Sequence, residues 1–576
     1  MHLNDSLGHE ARIKVICNHH EQACAMAAEG YARVSGSVGV VNVTTGPGGI
    51  NALNGVFGAW TDSIPMLVIS GQVKRETCIT SYQIPGLRQI GDQEADIISI
   101  AKGITKYAVT ITDPQTIRYH LERALHLATT GRPGPCWINV PIDVQASQVD
   151  PDKLAAYDPS EDRPSYDLQR LPEICSGILK RIREAKRPVI LAGKGIRLAR
   201  ALDVFDEVIR KLNIPIATGW QGLDLLASDD PLYCGRPGDI GDRPGNFTVQ
   251  NSDLLLVIGC RLGLRQTSYN WKAFARHAYK IQVDADAAEF QKPMVQVDQP
   301  VHCDARLFLE ELNHQIDRAQ SNGKPHSDWL AWCKERVKRY PVVLPRHRVL
   351  KGETINPYWF VETLYKHLAD DDVVVCGDGT ANVATFQAAF IKPGQRLFCN
   401  TGDASMGYDL PASIGAAVAH DGKRVICLAG DGSIQLNIQE LQTVAHHRWP
   451  LKIFVLDNNG YLSMRITQGN FFKRYIGESA TSGISFPDMV KIAQAYGLPA
   501  SRIEGTGFEQ QIIEALKAPG PMVCNVKLDP DQAFEPKLSS RQLADGTMVS
   551  APLEDMFPFL SREELQQNLL IPPMEN

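Results

Sequence analysis

The chain has 576 residues, 44% hydrophobic and 22% charged, with a formal net charge of -6. That length exceeds what one hydrophobic core supports, so several domains are expected. The mild acidity offers no basic footprint for nucleic acid, and no apolar run approaches the roughly 20 residues that span a bilayer.

The opening stretch, "MHLNDSLGHEARIK", lacks the apolar core of a signal peptide. Thirteen cysteines are scattered with no CxxC pair, which favours reduced thiols over a disulfide framework. A soluble, cytoplasmic α/β protein without nucleic-acid or membrane partners is the expectation. In chain order, short β-branched runs end in glycine or aspartate, each followed by a helical pattern. They are "VGVVNVTTGPGG", "MLVISGQ", "PVILAGKG", "DLLLVIGCR", "KIQVDAD", "DVVVCGDG", "RVICLAGDG", "LKIFVLDNN" and "MVCNVKLD". Unalternated runs of this kind suit parallel strands covered on both faces by helices. Polar, proline-bearing stretches at Ser147–Asp167 and from "NGKPHSDW" to "INPYWF" read as boundaries. They divide the chain into three doubly wound parallel-sheet α/β domains near 1–150, 165–320 and 350–535, with a tail at 536–576.

Ligands of such sheets bind at the carboxyl ends of strands. Two GDG turns stand there, Gly377–Gly379 and Gly430–Gly432. An aspartate between glycines suits a metal-bound diphosphate, because the backbone comes close to the phosphate and a helix starting after Ser433 points its N-terminus at the anion. Mg²⁺ needs further oxygen ligands. "LKIFVLDNNG" supplies the Asn458 side chain and the Gly460 carbonyl one helix and one strand after Asp431. The same offset from Asp378 reaches no asparagine pair, so the upstream turn is expected to line the phosphate pocket without binding metal. His446 and His447 follow the cofactor helix and read as surface residues at its C-terminus.

The "GDGS…NN" arrangement resembles the signature of thiamine-diphosphate-dependent enzymes. The resemblance implies that Asp431, Asn458 and Gly460 hold a Mg²⁺–diphosphate, with Gly430, Gly432, Ser433, Gly379 and Thr380 around it. Such enzymes also need a carboxylate on the aminopyrimidine of the cofactor to generate its reactive carbanion. Alone, Glu21 in "VICNHHEQACAMAAEGYARVSG" is a glutamate at a strand-to-helix junction, equally suited to be a capping charge. The phrases "HEQ", "EGYARVSG", "VTTGPGGINALNGVFGAWTDSIPMLVISGQV", "TKY" and "GRPGP" resemble the pyrimidine-binding domain of acetohydroxyacid (acetolactate) synthases. By that resemblance Glu21 activates the cofactor, Gln93 faces the substrate and Lys106 lines the channel to it. His20, beside Glu21, is as apt to orient a turn as to transfer a proton. "DASMGYDLPASIGAA" resembles the segment whose methionine bends the thiamine, which assigns that role to Met406; ordinary core packing is the alternative. A homodimer or homotetramer is implied, with each site built from two subunits.

The same family holds FAD in its central domain. Here "PVILAGKG" (Gly193, Gly195), "DLLLVIGCRLG" (Arg261) and "KIQVDADAAEF" (Asp284, Asp286) occupy the corresponding places, so FAD is expected beside thiamine diphosphate and Mg²⁺. Three departures stand out. The chain opens in what resembles the middle of a family element, as if a leading strand and helix were absent. The loop between "SGQV" and Gln93 is longer, with Asp92 where the family has phenylalanine. Beyond the asparagines, Thr467 or Gln468 replaces a tryptophan, which suggests a more polar acceptor pocket. The leading expectation is a carboligase of acetolactate-synthase type that decarboxylates pyruvate and passes the two-carbon unit to a keto acceptor. Alternatives are a keto-sugar carboligase, a 2-oxoacid decarboxylase, a cyclic 1,2-dione hydrolase and a non-catalytic thiamine-diphosphate-binding relative.

Overall fold

The computed structural model describes residues 1–82, 84–318, 326–542, 545–546 and 548–574. The expected boundary at 320 and the first residues of the second connecting stretch, 322–325, lie outside them.

Three sheets carry the chain. The first contains β1 (Gly39–Val43), β2 (Met66–Gln72), β3 (Tyr107–Thr110) and β4 (Pro135–Pro141), in the parallel order β1-β2-β4-β3. The second contains β5 (Pro188–Ala192), β6 (Ile216–Thr218), β7 (Leu254–Ile258), β8 (Tyr279–Asp284) and β9 (Gln299–His302), in the parallel order β6-β5-β7-β8-β9. The third is formed by β10 (Val373–Cys376), β11 (Arg396–Phe398), β12 (Val425–Gly430), β13 (Leu451–Asp457), β14 (Ala500–Ile503) and β15 (Met522–Lys527). Its order is β11-β10-β12-β13-β15-β14. A short antiparallel ribbon, β16 (Ser540–Gln542) with β17 (Met548–Ser550), follows. β5, β7 and β10 are buried along their whole length, as unalternated apolar runs require. This is the expected class of three doubly wound parallel-sheet domains.

The chain divides into two compact units. One comprises Met1–Pro164, Asp372–Asn382 and Phe398–Pro530, and the other Ser165–Asp371, Val383–Leu397 and Asp531–Asn576. In the first unit two alanine-rich helices, Glu21–Ser35 and Asp409–Ala419, cross closely. A Cβ at Gly30 would stand 2.1 Å from the Ala412 carbonyl oxygen, and one at Gly415 would stand 1.8 Å from that of Ala27. Only glycine permits that backbone approach. Beside the crossing, Arg33 is buried and its guanidinium meets Glu29 and Asp62, each at 2.5 Å. Removing the cation would leave two carboxylates out of water. Arg33→Met is therefore expected to lower unfolding free energy by about 3–5 kcal/mol, measured by denaturant titration. A loss under about 1 kcal/mol would contradict the pairing.

In the second unit the stretch expected to be a connector contains the helix Ser327–Arg339. Its Trp329, Trp332, Cys333 and Arg336 recur at helical spacing, a period masked in the sequence by the charges between them. Trp329 donates its indole N–H to the Pro188 carbonyl at 3.0 Å, and Arg336 covers the Trp332 ring. The tail packs onto the same unit: Asn246 reaches the Leu553 carbonyl, and Gln250 reaches Glu554. No described helix is long and apolar enough to cross a membrane.

Candidate active site

In the third sheet β10 leads to β11 on one side, while β12 leads to β13 on the other. The crevice between β10 and β12 is thus a topological switch point, where doubly wound sheets place ligands. Both GDG turns lie there, one following β10 and the other beginning at the last residue of β12. Asp431 is buried. Its Oδ2 accepts the Gly460 N–H at 2.9 Å and its Oδ1 accepts the Gly432 N–H at 2.8 Å. Burial pushes this carboxyl up to about 7, against the pull of those two N–H groups.

Asn458 is also buried. Its Nδ2 donates to Thr380 Oγ1 at 2.8 Å, and its Oδ1 has no partner among the described residues. A buried amide oxygen without a partner is costly unless something meets it. No described cluster of three or more His, Cys, Asp or Glu is placed to hold a metal. A cation here would draw on a mixed oxygen set of one carboxylate, one amide and one backbone carbonyl, completed by phosphate and water. That set and the orphaned oxygen suit Mg²⁺. Asn382, in the first turn after Thr380, carries a second buried amide oxygen without a partner. The sequence reading stopped at Gly379 and Thr380 of the same turn and did not extend to it.

The segment after Asp431 differs from expectation. In place of an α-helix starting after Ser433 there is a 3₁₀ stretch, Ile434–Glu440, broken at Asn437, and only then the α-helix Leu441–His447. Asn437 explains the break. Its Nδ2 is drawn to the Gly407 carbonyl at 2.8 Å, with Gln22 Oε1 at 3.3 Å. Ser433 turns inward: its Oγ accepts the Gly407 N–H at 2.8 Å and donates to Asp409 Oδ2 at 2.5 Å. Its hydroxyl braces the segment after Met406. Gly432 leaves room for a ring, since a Cβ there would stand 2.1 Å from Tyr461. Gly379 takes a positive φ of 83°. His446 and His447 end their helix as expected, and His447 stacks on Trp449.

Glu21 begins the helix Glu21–Ser35, and its Oε2 accepts from Asn51 at 3.1 Å. The residues before it form no strand. The His19 and His20 N–H groups are taken instead by the buried carboxylate of Glu440, at 2.9 and 3.1 Å. Gln22 Nε2 and Ser405 Oγ both donate to Asn54, at 3.0 and 2.8 Å. The segments bearing Glu21 and Met406 are therefore bridged within one chain through Asn54. The small-residue helix crossing is what joins them.

Gln93 holds a φ of +60°, and its carbonyl oxygen would stand 1.8 Å from a Cβ at Gly46. Glu94 pins the long loop around it, accepting the N–H groups of Ile79, Ile90 and Gly91. Lys106 requires a correction. It precedes β3 at the amino end of the first sheet, with its Nζ on the Thr130 carbonyl at 2.7 Å. The Gln93 loop meets the carboxyl end, where Gln72 Nε2 donates to the Ala95 carbonyl. Roughly 20 Å of strand separates those ends, so the two side chains do not share a channel within this chain. Thr467 is exposed and donates to the Ser463 carbonyl one turn back, and the Gln468 side chain exchanges two hydrogen bonds with the Ile476 backbone.

In the second unit Gly193 and Gly195 make room for protein. A Cβ at either would meet Gly259, at 2.2 Å from its oxygen and 2.6 Å from its Cα respectively. Their expected role in admitting a dinucleotide backbone is thus taken by loop packing. Arg261 is exposed, and Asp284, at the end of β8, accepts the Asp286 N–H at 3.0 Å. Two unpartnered polar groups lie instead at the end of β6. The Thr218 hydroxyl and the Trp220 indole N–H are buried there without partners among the described residues.

Comparison with known proteins gives three family matches: the N-terminal TPP binding domain of thiamine pyrophosphate enzymes at 1–95, the central domain at 175–312, and the C-terminal TPP binding domain at 373–526. The chain is similar to acetolactate synthase 1, chloroplastic, of Oryza sativa subsp. japonica. The two are 32% identical over 547 residues, covering 92% of this chain and 81% of the relative. It is 33% identical over 554 residues to a probable acetolactate synthase large subunit of Methanococcus aeolicus, covering 92% and 88%. With acetolactate synthase 1, chloroplastic, of Nicotiana tabacum it shares 31% over 555 residues, covering 94% and 80%.

Proposed function

The chain belongs to the acetolactate synthase family of thiamine-pyrophosphate-dependent enzymes, and from that premise we propose that it decarboxylates pyruvate and joins the two-carbon unit to a keto acceptor. The observation that carries this reading is the buried Asp431 beside the orphaned Asn458 oxygen at the switch point. Thiamine diphosphate supplies, when bound, a carbanion that takes up a 2-oxoacid and stores the electrons left by CO₂. Asp431, Asn458 and the Gly460 carbonyl would hold its Mg²⁺, with Thr380, Asn382, Gly379, Gly430, Gly432 and the Ser433 backbone around the diphosphate. Met406, braced through Gly407 and Ser433, would support the bent cofactor. Glu21 would hold the proton at the aminopyrimidine ring nitrogen, and Gln93 would face the substrate. Domain limits at 1–150, 165–320 and 350–535 are part of the proposal, in line with the three family matches.

We propose FAD in the central domain, with Thr218 and Trp220 as its buried polar contacts. Protein refolded with FAD and desalted should retain visible flavin absorption, and Thr218→Val with Trp220→Phe should lose most of it. Retention equal to wild type would exclude this location. A homodimer or homotetramer is proposed from the Pro47–Asp62 helix, whose Ile50, Phe57 and Trp60 form one exposed apolar face. The thirteen cysteines, all free, fit a reducing cytoplasmic setting. The acceptor is read by mass analysis of products from pyruvate alone and from pyruvate with keto acids or keto sugars. Acetolactate from pyruvate alone is expected; acetaldehyde as the sole product would make the protein a decarboxylase.

A further inference from the structure

The turn that carries Asn458 and Gly460 makes an unusual demand. Asn459 has a φ of 58° and Gly460 a φ of 133°, so the chain reverses there through conformations that side chains disfavour. Such a turn needs external bonds to keep one geometry. One side chain takes the carbonyls of both Asn458 and Asn459. The Arg465 guanidinium donates through Nη2 to the Asn459 carbonyl at 2.8 Å. Through Nη1 it donates to the Asn458 carbonyl at 3.4 Å and the Pro530 carbonyl at 3.0 Å. Its Nε donates to Glu478 Oε2 at 2.7 Å, and Glu478 is itself buried and held by the Ser479 hydroxyl at 2.6 Å.

The backbone of Glu478 orients the next peptide. The Tyr461 N–H donates to the Glu478 carbonyl at 2.8 Å. In a trans peptide the carbonyl points opposite to the N–H, so the Gly460 oxygen faces away from Glu478. The Gly460 N–H is held by Asp431. The space on the other side of Gly460 is closed, since a Cβ there would stand 2.1 Å from the Glu478 oxygen and 2.9 Å from Arg465 Nη2. Every peptide from Asn458 to Tyr461 is thus directed by Asp431, Arg465 or Glu478.

We infer that Arg465, anchored by Glu478, is the positioning residue that sets the backbone of the metal-binding turn and aims the Gly460 carbonyl without itself touching the ion. The inference rests on the metal site proposed above. A planar guanidinium with several N–H groups suits this task, whereas an ammonium is a point charge on a flexible stem. Outer-shell partners of this kind typically cost 10–100-fold in metal affinity when removed.

The test is Mn²⁺ binding by the full chain, stripped of metal, followed by electron paramagnetic resonance at saturating thiamine diphosphate. Wild type should bind Mn²⁺ and Asp431→Ala should not; if wild type binds none, the metal site itself is wrong. Given wild-type binding, Arg465→Ala should raise the Mn²⁺ Kd by about 10–100-fold. Arg465→Lys should recover thermal stability through its ion pair with Glu478 but not the affinity, a split that a merely structural role would not produce. If Arg465→Ala does not fold, Arg465→Lys and Glu478→Gln carry the test. A Kd within about twofold of wild type in whichever of these variants folds would overturn the inference, since twofold lies well below the outer-shell range.

Discussion

Asp431→Ala is expected to abolish metal-dependent binding of thiamine diphosphate and to reduce CO₂ release from pyruvate by more than about 100-fold, the upper end of what losing an outer-shell partner does. The reason lies in the composition of the site. Of the three oxygens available to a cation only the carboxylate can carry charge, and burial pushes its pKa up to about 7. The amide of Asn458 and the carbonyl of Gly460 orient an ion without neutralising it. Asp431 also holds the Gly460 N–H, so its loss slackens the turn as well. Asp431→Asn removes the charge at nearly constant size, but its amide can accept only one of the two N–H groups that Asp431 holds. It should fold with a modest loss of thermal stability and fail to hold Mg²⁺. Binding of cofactor at wild-type affinity by either variant, by isothermal titration, would remove the metal site from Asp431.

The second large effect belongs to Glu21. Glu21→Gln should leave Mg²⁺ and cofactor affinity within a few-fold of wild type while lowering kcat by roughly 10²–10⁴-fold, the range for loss of a positioned proton carrier. Glu21 contacts no residue of the proposed metal site, and its described partner, Asn51, accommodates an amide as readily as a carboxylate. The combination of retained binding and lost turnover distinguishes a proton carrier from a helix-capping charge. A capping charge would instead appear as a loss of about 0.3–1 kcal/mol in stability with kcat unchanged. Proton exchange at the cofactor, followed by nuclear magnetic resonance, reads the step directly.

The strands that carry the site were legible because each ends an apolar run in glycine or aspartate. β12 and β13 are the clearest cases, and with them came Asp431, Asn458 and Gly460. The strands without that signature went unread. β6 is only three residues, Ile216–Thr218, and β14, "ASRI", is a half-exposed edge with no apolar run. The helix Ser327–Arg339 was hidden by charges on its solvent face. Within the site three of the unread residues, Asn437, Glu440 and Arg465, share one property: they act on backbone. Asn437 bonds the Gly407 carbonyl, Glu440 takes the N–H groups of His19 and His20, and Arg465 gathers the carbonyls of Asn458, Asn459 and Pro530. No local pattern marks such a residue, because its partners are amides that every position possesses. Lys106 failed for a topological reason, since it stands at the amino end of the parallel sheet and the Gln93 loop at the carboxyl end, a relation not written in either segment.

The account stands on one claim, that the crevice between β10 and β12 holds a thiamine diphosphate–Mg²⁺ pair that Glu21 activates toward pyruvate. Release of labelled CO₂ from carboxyl-labelled pyruvate by stripped full-length protein, with the cofactor and the metal added back separately and together, tests it most directly. The account requires release only when both are present, with little release from Asp431→Ala or Glu21→Gln. No release from wild type under any addition, or equal release from all three proteins, would contradict it.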